Sequence, residues 1–212
     1  MESINFLFFD TETWGLPKQF GKPYYEDLDN YPRIASISWI LCKQNGERLS
    51  EGDFIVIPEN FKPDKDSIEI HGISEELAKE NGRPLKDVLM DFVMDFQQVD
   101  KTILVAHNME FDFNVVFSEL ARTFPKATFP KNVVSIDTMK PLSRYIGIKN
   151  YHGFKWPSLQ EMHLKLFGKK FDGAHNSKAD TEALLACFFK VMEDKKGKII
   201  LMSQIEPNVL LT

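Results

Sequence analysis

An apolar run, Ile4-Asn5-Phe6-Leu7-Phe8-Phe9, ends in two carboxylates one residue apart, Asp10 and Glu12. The run reads as a short buried strand. Residues i and i+2 of a strand share a face, so both carboxylates project side by side from the sheet's end. Like charges held that close repel, and a carboxyl pKa rises unless a cation lies between them. Hard oxygen donors of this kind suit Mg2+ or Mn2+. The spacing alone is common, and turn or helix-cap acids are its ordinary alternative. A second copy, Asp180-Thr181-Glu182, lies in a helical segment. There the two side chains point about 200° apart and cannot share an ion. Strand context is what singles out the first pair.

The rest of the composition narrows the class. A chain of 212 residues fits one domain, and 43% hydrophobic residues with 18 Phe supply a core. The apolar start has no basic stretch before it and stops at Asp10, unlike a signal peptide. No run approaches the length of a membrane span. Cys42 and Cys187 sit in apolar contexts and read as buried free thiols of a reducing compartment, so a cytoplasmic protein is expected. Cys-x-x-Cys, His-Glu-x-x-His and Walker A patterns are all missing, which removes support for zinc and P-loop chemistry. A net charge of −5 argues against a general nucleic-acid coat. Between Lys140 and Lys170, however, seven Lys and Arg face one acid, Glu161. That stretch is either solvated surface or a phosphate track.

Along the chain, Trp14 to Pro32 forms a long loop with the aromatics Phe20, Tyr24, Tyr25 and Tyr31. Loops this long tend to be functional, and its rings either stack on bases or pack the loop down. Residues 33–43 alternate as a strand, Asn45-Gly46 signals a hairpin, and 48–57 return as its partner. Ser74 caps a short helix ending at Asn81-Gly82. Pro84 opens an amphipathic helix through Phe96. Residues 102–106 form a strand, 109–123 a helix, 131–136 a short strand and 137–145 a helix. Another helix runs from Trp156-Pro157 to Phe167, and the last from Ser177 to Glu193. The main domain is thus 1–194, followed by a short tail, 195–212.

Asp180 heads an apolar stripe of Leu184, Cys187, Phe188 and Val191, and Asp112 heads a similar one with Val115, Val116 and Leu120. A charge in that position needs a metal or basic partner, or must stay wet. Asp10, Glu12, Asp112 and Asp180 are enough to hold two divalent cations for phosphoryl transfer. His175, five residues before Asp180, is either a capping residue or a base able to take a proton from water.

Three motifs, Phe9-Asp10-Thr11-Glu12-Thr13, His107-Asn108-x-x-Phe111-Asp112 and His175-x4-Asp180, resemble in order and spacing those of the DnaQ-like (DEDDh) 3′–5′ exonucleases. Ile70-His71-Gly72-Ile73-Ser74 and Ser135-Ile136-Asp137-Thr138 resemble secondary signatures of the same family. Asn176, where another branch has Tyr, places the chain on the histidine side. The resemblance implies an α/β, ribonuclease H-like fold: a mixed five-stranded sheet, its first three strands antiparallel, with helices on both faces. It implies that Asp10, Glu12, Asp112 and Asp180 bind two Mg2+ or Mn2+ and that His175 is the general base. Thr11, Thr13, Leu16, His71, His107 and Phe111 would hold the terminal nucleotide. Asp137 reads instead as a helix N-cap. The implied reaction releases nucleoside 5′-monophosphates from a free 3′ end, with single-stranded DNA the expected substrate. RNA trimming and a non-catalytic nucleic-acid-binding module are the alternatives. Proofreading subunits of the DNA polymerase III epsilon type belong to this family, so a polymerase or another replication or repair protein is an expected partner. The Trp14–Pro32 loop is longer than the family's minimal connection, and the tail leaves little room for a polymerase-binding extension.

Overall fold

A computed structural model describes residues 4–127 and 133–205. Strands β1 (Asn5–Thr13), β2 (Ile34–Lys43), β3 (Arg48–Ile55), β4 (Thr102–Ala106) and β5 (Ser135–Asp137) form one sheet in the order β3-β2-β1-β4-β5. The first three pair antiparallel, and β1–β4 and β4–β5 pair parallel, as expected from the sequence. Helices α1 (Lys65–His71), α2 (Glu75–Asn81), α3 (Leu85–Gln97), α4 (Met109–Thr123), α5 (Ser143–Ile146), α6 (Leu159–Phe167), α7 (Ser177–Met192) and α8 (Lys195–Met202) complete the domain. A small hairpin, β6 (Lys149–Asn150) and β7 (Gly153–Phe154), stands outside the main sheet.

The period of two along β1 decides which acid meets which helix. Leu7 and Phe9 face the core shared with α3 and α4. Phe6 and Phe8 face the core shared with α6, α7 and α8. Asp10 and Glu12 continue the second face, toward α7. On β2 the residues opposite them are Ser38 and Ser36. Those small polar side chains let α7 come close: Ser36 Oγ lies 2.9 Å from Ser177 Oγ, and the Thr181 hydroxyl donates to Ser38 O at 3.3 Å. Both cysteines are free and lie buried in the α7-side core, where burial pushes each thiol up to about 12.

On the opposite face Trp39 fills the space beside β3, its indole N–H donating to Asp95 Oδ2 at 2.7 Å. Gly52, its partner across the ladder, has no room for a side chain: a Cβ there would sit 2.2 Å from the Trp39 ring. Gly52→Ala is therefore expected to cost about 2 kcal/mol through overpacking. Urea denaturation reads this directly, and an unchanged midpoint would show that the indole moves aside freely.

The structure departs from the sequence reading at several places. The second hairpin strand ends at Ile55 rather than 57, and Val56 makes only an isolated bridge to Arg83. Helix α1 was not expected; Asp64 caps its start and Gly72, at φ 73°, its end. The helix expected over 137–145 is one turn, Ser143–Ile146. Pro141 explains this, because it lacks an N–H and disfavours helical backbone at Lys140. The strand expected from 131 is described only as Ser135–Asp137, its first two residues lying outside the described residues. The stretch expected to be a tail carries α8, whose Leu201 and nearby Ile205 bury into the α7-side core. Among the described residues no helix is long and apolar enough to cross a membrane.

Candidate active site

Strand β1 runs past its parallel neighbour. It pairs with β4 only through Phe8, so Phe9 to Thr13 project with one flank unpaired, and the ladder with β2 slips between Glu12 and Thr13. Bulges of this kind re-aim side chains at sheet ends. Asp112, from the first turn of α4, fills the open flank. Its Oδ1 accepts the Thr11 N–H at 3.0 Å and the Thr11 hydroxyl at 2.7 Å.

Asp180 approaches from the other side of the sheet. One turn into α7, it is 9% exposed. Its Oδ2 accepts the His175 N–H at 2.8 Å, and Asn176 caps the helix through Ala179 N–H. The neighbouring acid, Glu182, turns away onto Arg48, with contacts of 2.9 and 2.5 Å, and so anchors α7 to β3. The helical copy of the acidic tripeptide thus divides its carboxylates as the sequence suggested.

Asp10, Glu12 and Asp180 each offer a carboxylate oxygen, all within 4.8 Å of one another. Asp112 stands outside that triad but acts on it electrostatically. Burial, followed by the charges of Asp112, Asp180 and Glu12, holds the Asp10 carboxyl well above its ordinary range. Burial, with Asp180 and Asp112, pushes Glu12 up to about 8. Burial raises Asp112 to about 7, opposed by the two bonds from Thr11. Asp180 is also raised by burial, against the His175 N–H. Unbalanced negative charge in a half-buried pocket is the condition under which hard divalent cations bind, and the donor set fits them.

Protonation is linked to stability with a definite sign. These acids hold protons more tightly folded than unfolded, so stability is fully present below the ordinary carboxylate pKa and is lost as pH rises toward 8. In chelator, Tm is expected to fall between pH 5 and 8. Adding Mg2+ or Mn2+ at pH 8 should raise it by roughly 5 °C. Glu12→Gln should flatten the chelator slope, as thermal melts across pH would show. An equally steep slope in that variant would remove Glu12 from the linkage.

The other residues singled out by sequence take up several environments. His175 is exposed on the loop before α7, with φ 68°. Left-handed backbone at a non-glycine residue is strained, and here it brings the His175 N–H onto Asp180. The Thr13 hydroxyl donates to Gly15 O at 2.8 Å. His107 is locked by both ring nitrogens, to Thr138 Oγ1 at 3.0 Å and Pro157 O at 2.9 Å. His71 lies edge-on to Trp14, ring centroids 5.3 Å apart. Leu16 is 74% exposed, and Phe111 is half-buried beside the α4-side core. Asp137 accepts the N–H groups of Asn108 and Met109 at the start of α4, and those of Met139 and Lys140 after β5. It therefore caps a turn and a neighbouring helix rather than a helix of its own.

Two supports escaped the sequence reading. Glu119, wholly buried on α4, receives Arg33, Arg122 and the Ile34 N–H. Arg122 in turn binds the carbonyls of Leu28 and Tyr31. This network fastens the Trp14–Pro32 loop. Glu119 lies on the buried stripe of α4 beside Leu120, and an acid there was the available signal.

A mixed sheet whose first strand outruns its neighbour, with acids from that strand and two helices gathered at its end, defines a ribonuclease H-like domain with an acidic centre. The exonuclease family model RNase_T matches residues 7–188, and the chain belongs to that family, the DnaQ-like exonucleases. Solved structures agree on the fold. Escherichia coli exonuclease I in complex with a dA16 oligonucleotide is similar at a TM-score of 0.73 and 20% identity, over 93% of this chain and 42% of that one. A moderately thermophilic exonuclease I from Methylocaldum szegediense gives 0.71 and 20%, over 91% and 41%. The chain therefore spans less than half the length of these relatives. No curated protein sequence matches it.

Proposed function

We propose that this chain is a two-metal 3′–5′ exonuclease that removes nucleoside 5′-monophosphates from single-stranded DNA. The observation that carries the reading is the meeting of Asp10, Glu12 and Asp180 within 4.8 Å, in a domain of the exonuclease family. Asp10, Glu12, Asp112 and Asp180 would hold two Mg2+ or Mn2+. Bound there, the ions would offset charge on the phosphodiester and acidify water. His175, at the open side next to Asp180, takes the proton from the attacking water. Asp180 faces the same loop through the His175 N–H, which fixes the approach of the histidine. Thr11 orients Asp112. Leu16, His71, Thr13 and Phe111 surround the terminal nucleotide, and His107 braces the start of α4. Single-stranded DNA is favoured because similar exonuclease I structures hold dA16 and dT13 oligonucleotides. Two buried free thiols support a cytoplasmic location. The motifs shared with proofreading subunits support a role in proofreading or repair, with a DNA polymerase as the class of partner.

The test is a side-by-side digestion of 5′-labelled DNA and RNA single strands, with Mg2+ and with EDTA, and with the 3′ end free or blocked. Stepwise shortening of free-ended DNA, abolished by EDTA and by the block, is the expected result. Cleavage of the blocked strand would make the enzyme an endonuclease. Faster trimming of RNA would overturn the substrate and leave the chemistry standing.

A further inference from the structure

The basic stretch between Lys140 and Lys170 has no part in the carboxylate centre, yet it has a distinct form. Its cations lie over aromatic faces. Lys140 Nζ is 5.0 Å from the Trp156 ring centroid, and Lys149 Nζ and the Arg144 guanidinium are 5.5 and 6.0 Å from that of Phe154. Phe154 and Trp156 are nevertheless 43% and 58% exposed. Exposed rings backed by cations offer faces on which a base can stack and charge that a phosphate can meet.

Trp156 also forms one wall of a cleft of about 480 Å3. Phe20, from the long loop, lines the same cleft and is 69% exposed. Asn108 and Phe111 line it too, from the beginning of α4, the turn that also carries Asp112. The Trp156 segment is tied to that turn through Pro157 O and His107 Nε2, 2.9 Å apart. The cleft is therefore built on the same turn of α4 that carries Asp112. Its single acid, Glu110, is neutralised by Lys140. The volume suits a base with its sugar, and the walls offer π-faces with cations behind them.

We propose that this cleft, continued by the β6–β7 hairpin, receives the strand on the 5′ side of the scissile phosphate. A base stacks on Trp156, and the phosphates run past Lys140, Arg144 and Lys149. The inference rests on the exonuclease reading and extends it to how the enzyme holds the rest of its substrate. The occupant is unpaired nucleic acid, because only unpaired bases offer free faces to such rings. Charge agrees with this: the chain is −5 overall, whereas residues 140–170 carry seven Lys and Arg against one acid. Phosphates neutralised by Arg144 and Lys149 would release the counterions that make binding salt-dependent.

The test compares kcat/KM for an octanucleotide and a dinucleotide of the better-cleaved sugar type, in wild type and Trp156→Ala. The ratio is expected to fall about tenfold in the variant. Octanucleotide binding in EDTA, followed by fluorescence anisotropy, should weaken about tenfold as well. The double variant Arg144→Ala, Lys149→Ala should lower the slope of log Kd against log salt by about 1.4, at about 0.7 per phosphate contact of a single strand. A wild type that trims normally while Trp156→Ala leaves the ratio within twofold overturns the cleft and spares the exonuclease. A wild type that trims neither length overturns both.

Discussion

Asp10→Ala is expected to lower exonuclease activity at least about a thousandfold. The side chain lies in the tight acidic triad and also feels the charge of Asp112, so its loss unbalances the whole donor set. Removing a ligand that stabilises charge in the transition state costs several kcal/mol, and each 1.4 kcal/mol is about tenfold in rate. The same substitution should raise Tm in chelator, because it deletes a carboxyl that burial and three neighbouring acids disfavour in its charged form. Activity and metal-free stability should therefore move in opposite directions. Initial rates on a labelled oligonucleotide and melts in EDTA at pH 8 read both. Activity within tenfold of wild type would remove Asp10 from the reaction.

Glu119→Ala is expected to destabilise the protein by about 3–5 kcal/mol, as for other buried charges that lose a partner. The carboxylate is wholly buried, 2.7 Å from Arg33 Nε and 3.2 Å from Arg122 Nε. Its removal leaves Arg122 without its acid while the guanidinium still lies under the loop. At roughly 2–4 °C per kcal/mol, Tm should drop by about 10 °C. Proteolysis should appear first between residues 14 and 32, since Arg122 is what grips Leu28 and Tyr31. Glu119→Gln keeps the volume and acceptor oxygen and should lose less. A Tm within 2 °C of wild type would show that water replaces the carboxylate.

Much of this was legible in the sequence, and the reason is periodicity. Alternation along residues 4–13 placed Asp10 and Glu12 on one face, and helical spacing placed Asp180 above Leu184, Cys187 and Phe188, all of which the structure buries on the α7 side. Helix α4 begins and ends where its pattern does. Elements set by a few polar contacts were harder to read. Helix α1 depends on an Asp64 cap and a left-handed Gly72, with only Ser67 buried along it, so no apolar stripe announced it. The loop aromatics could not be sorted by composition. Tyr31 is 4% exposed and Tyr24 packs on Phe113 and Phe117, whereas Phe20 and Tyr25 stay in water. That division follows from Asn114 and Arg122 on α4, ninety or so positions away along the chain.

Gln204 holds both main-chain groups of Asp137, the N–H at 3.0 Å and the carbonyl at 3.1 Å. Asp137 in turn supports the opening turn of α4. The segment just after α8 and the acid-bearing helix α4 are thus linked through two side chains, Gln204 and Asp137. Excision at 194 would remove Gln204, and with it this support of the turn that leads to Asp112, without touching a reacting group.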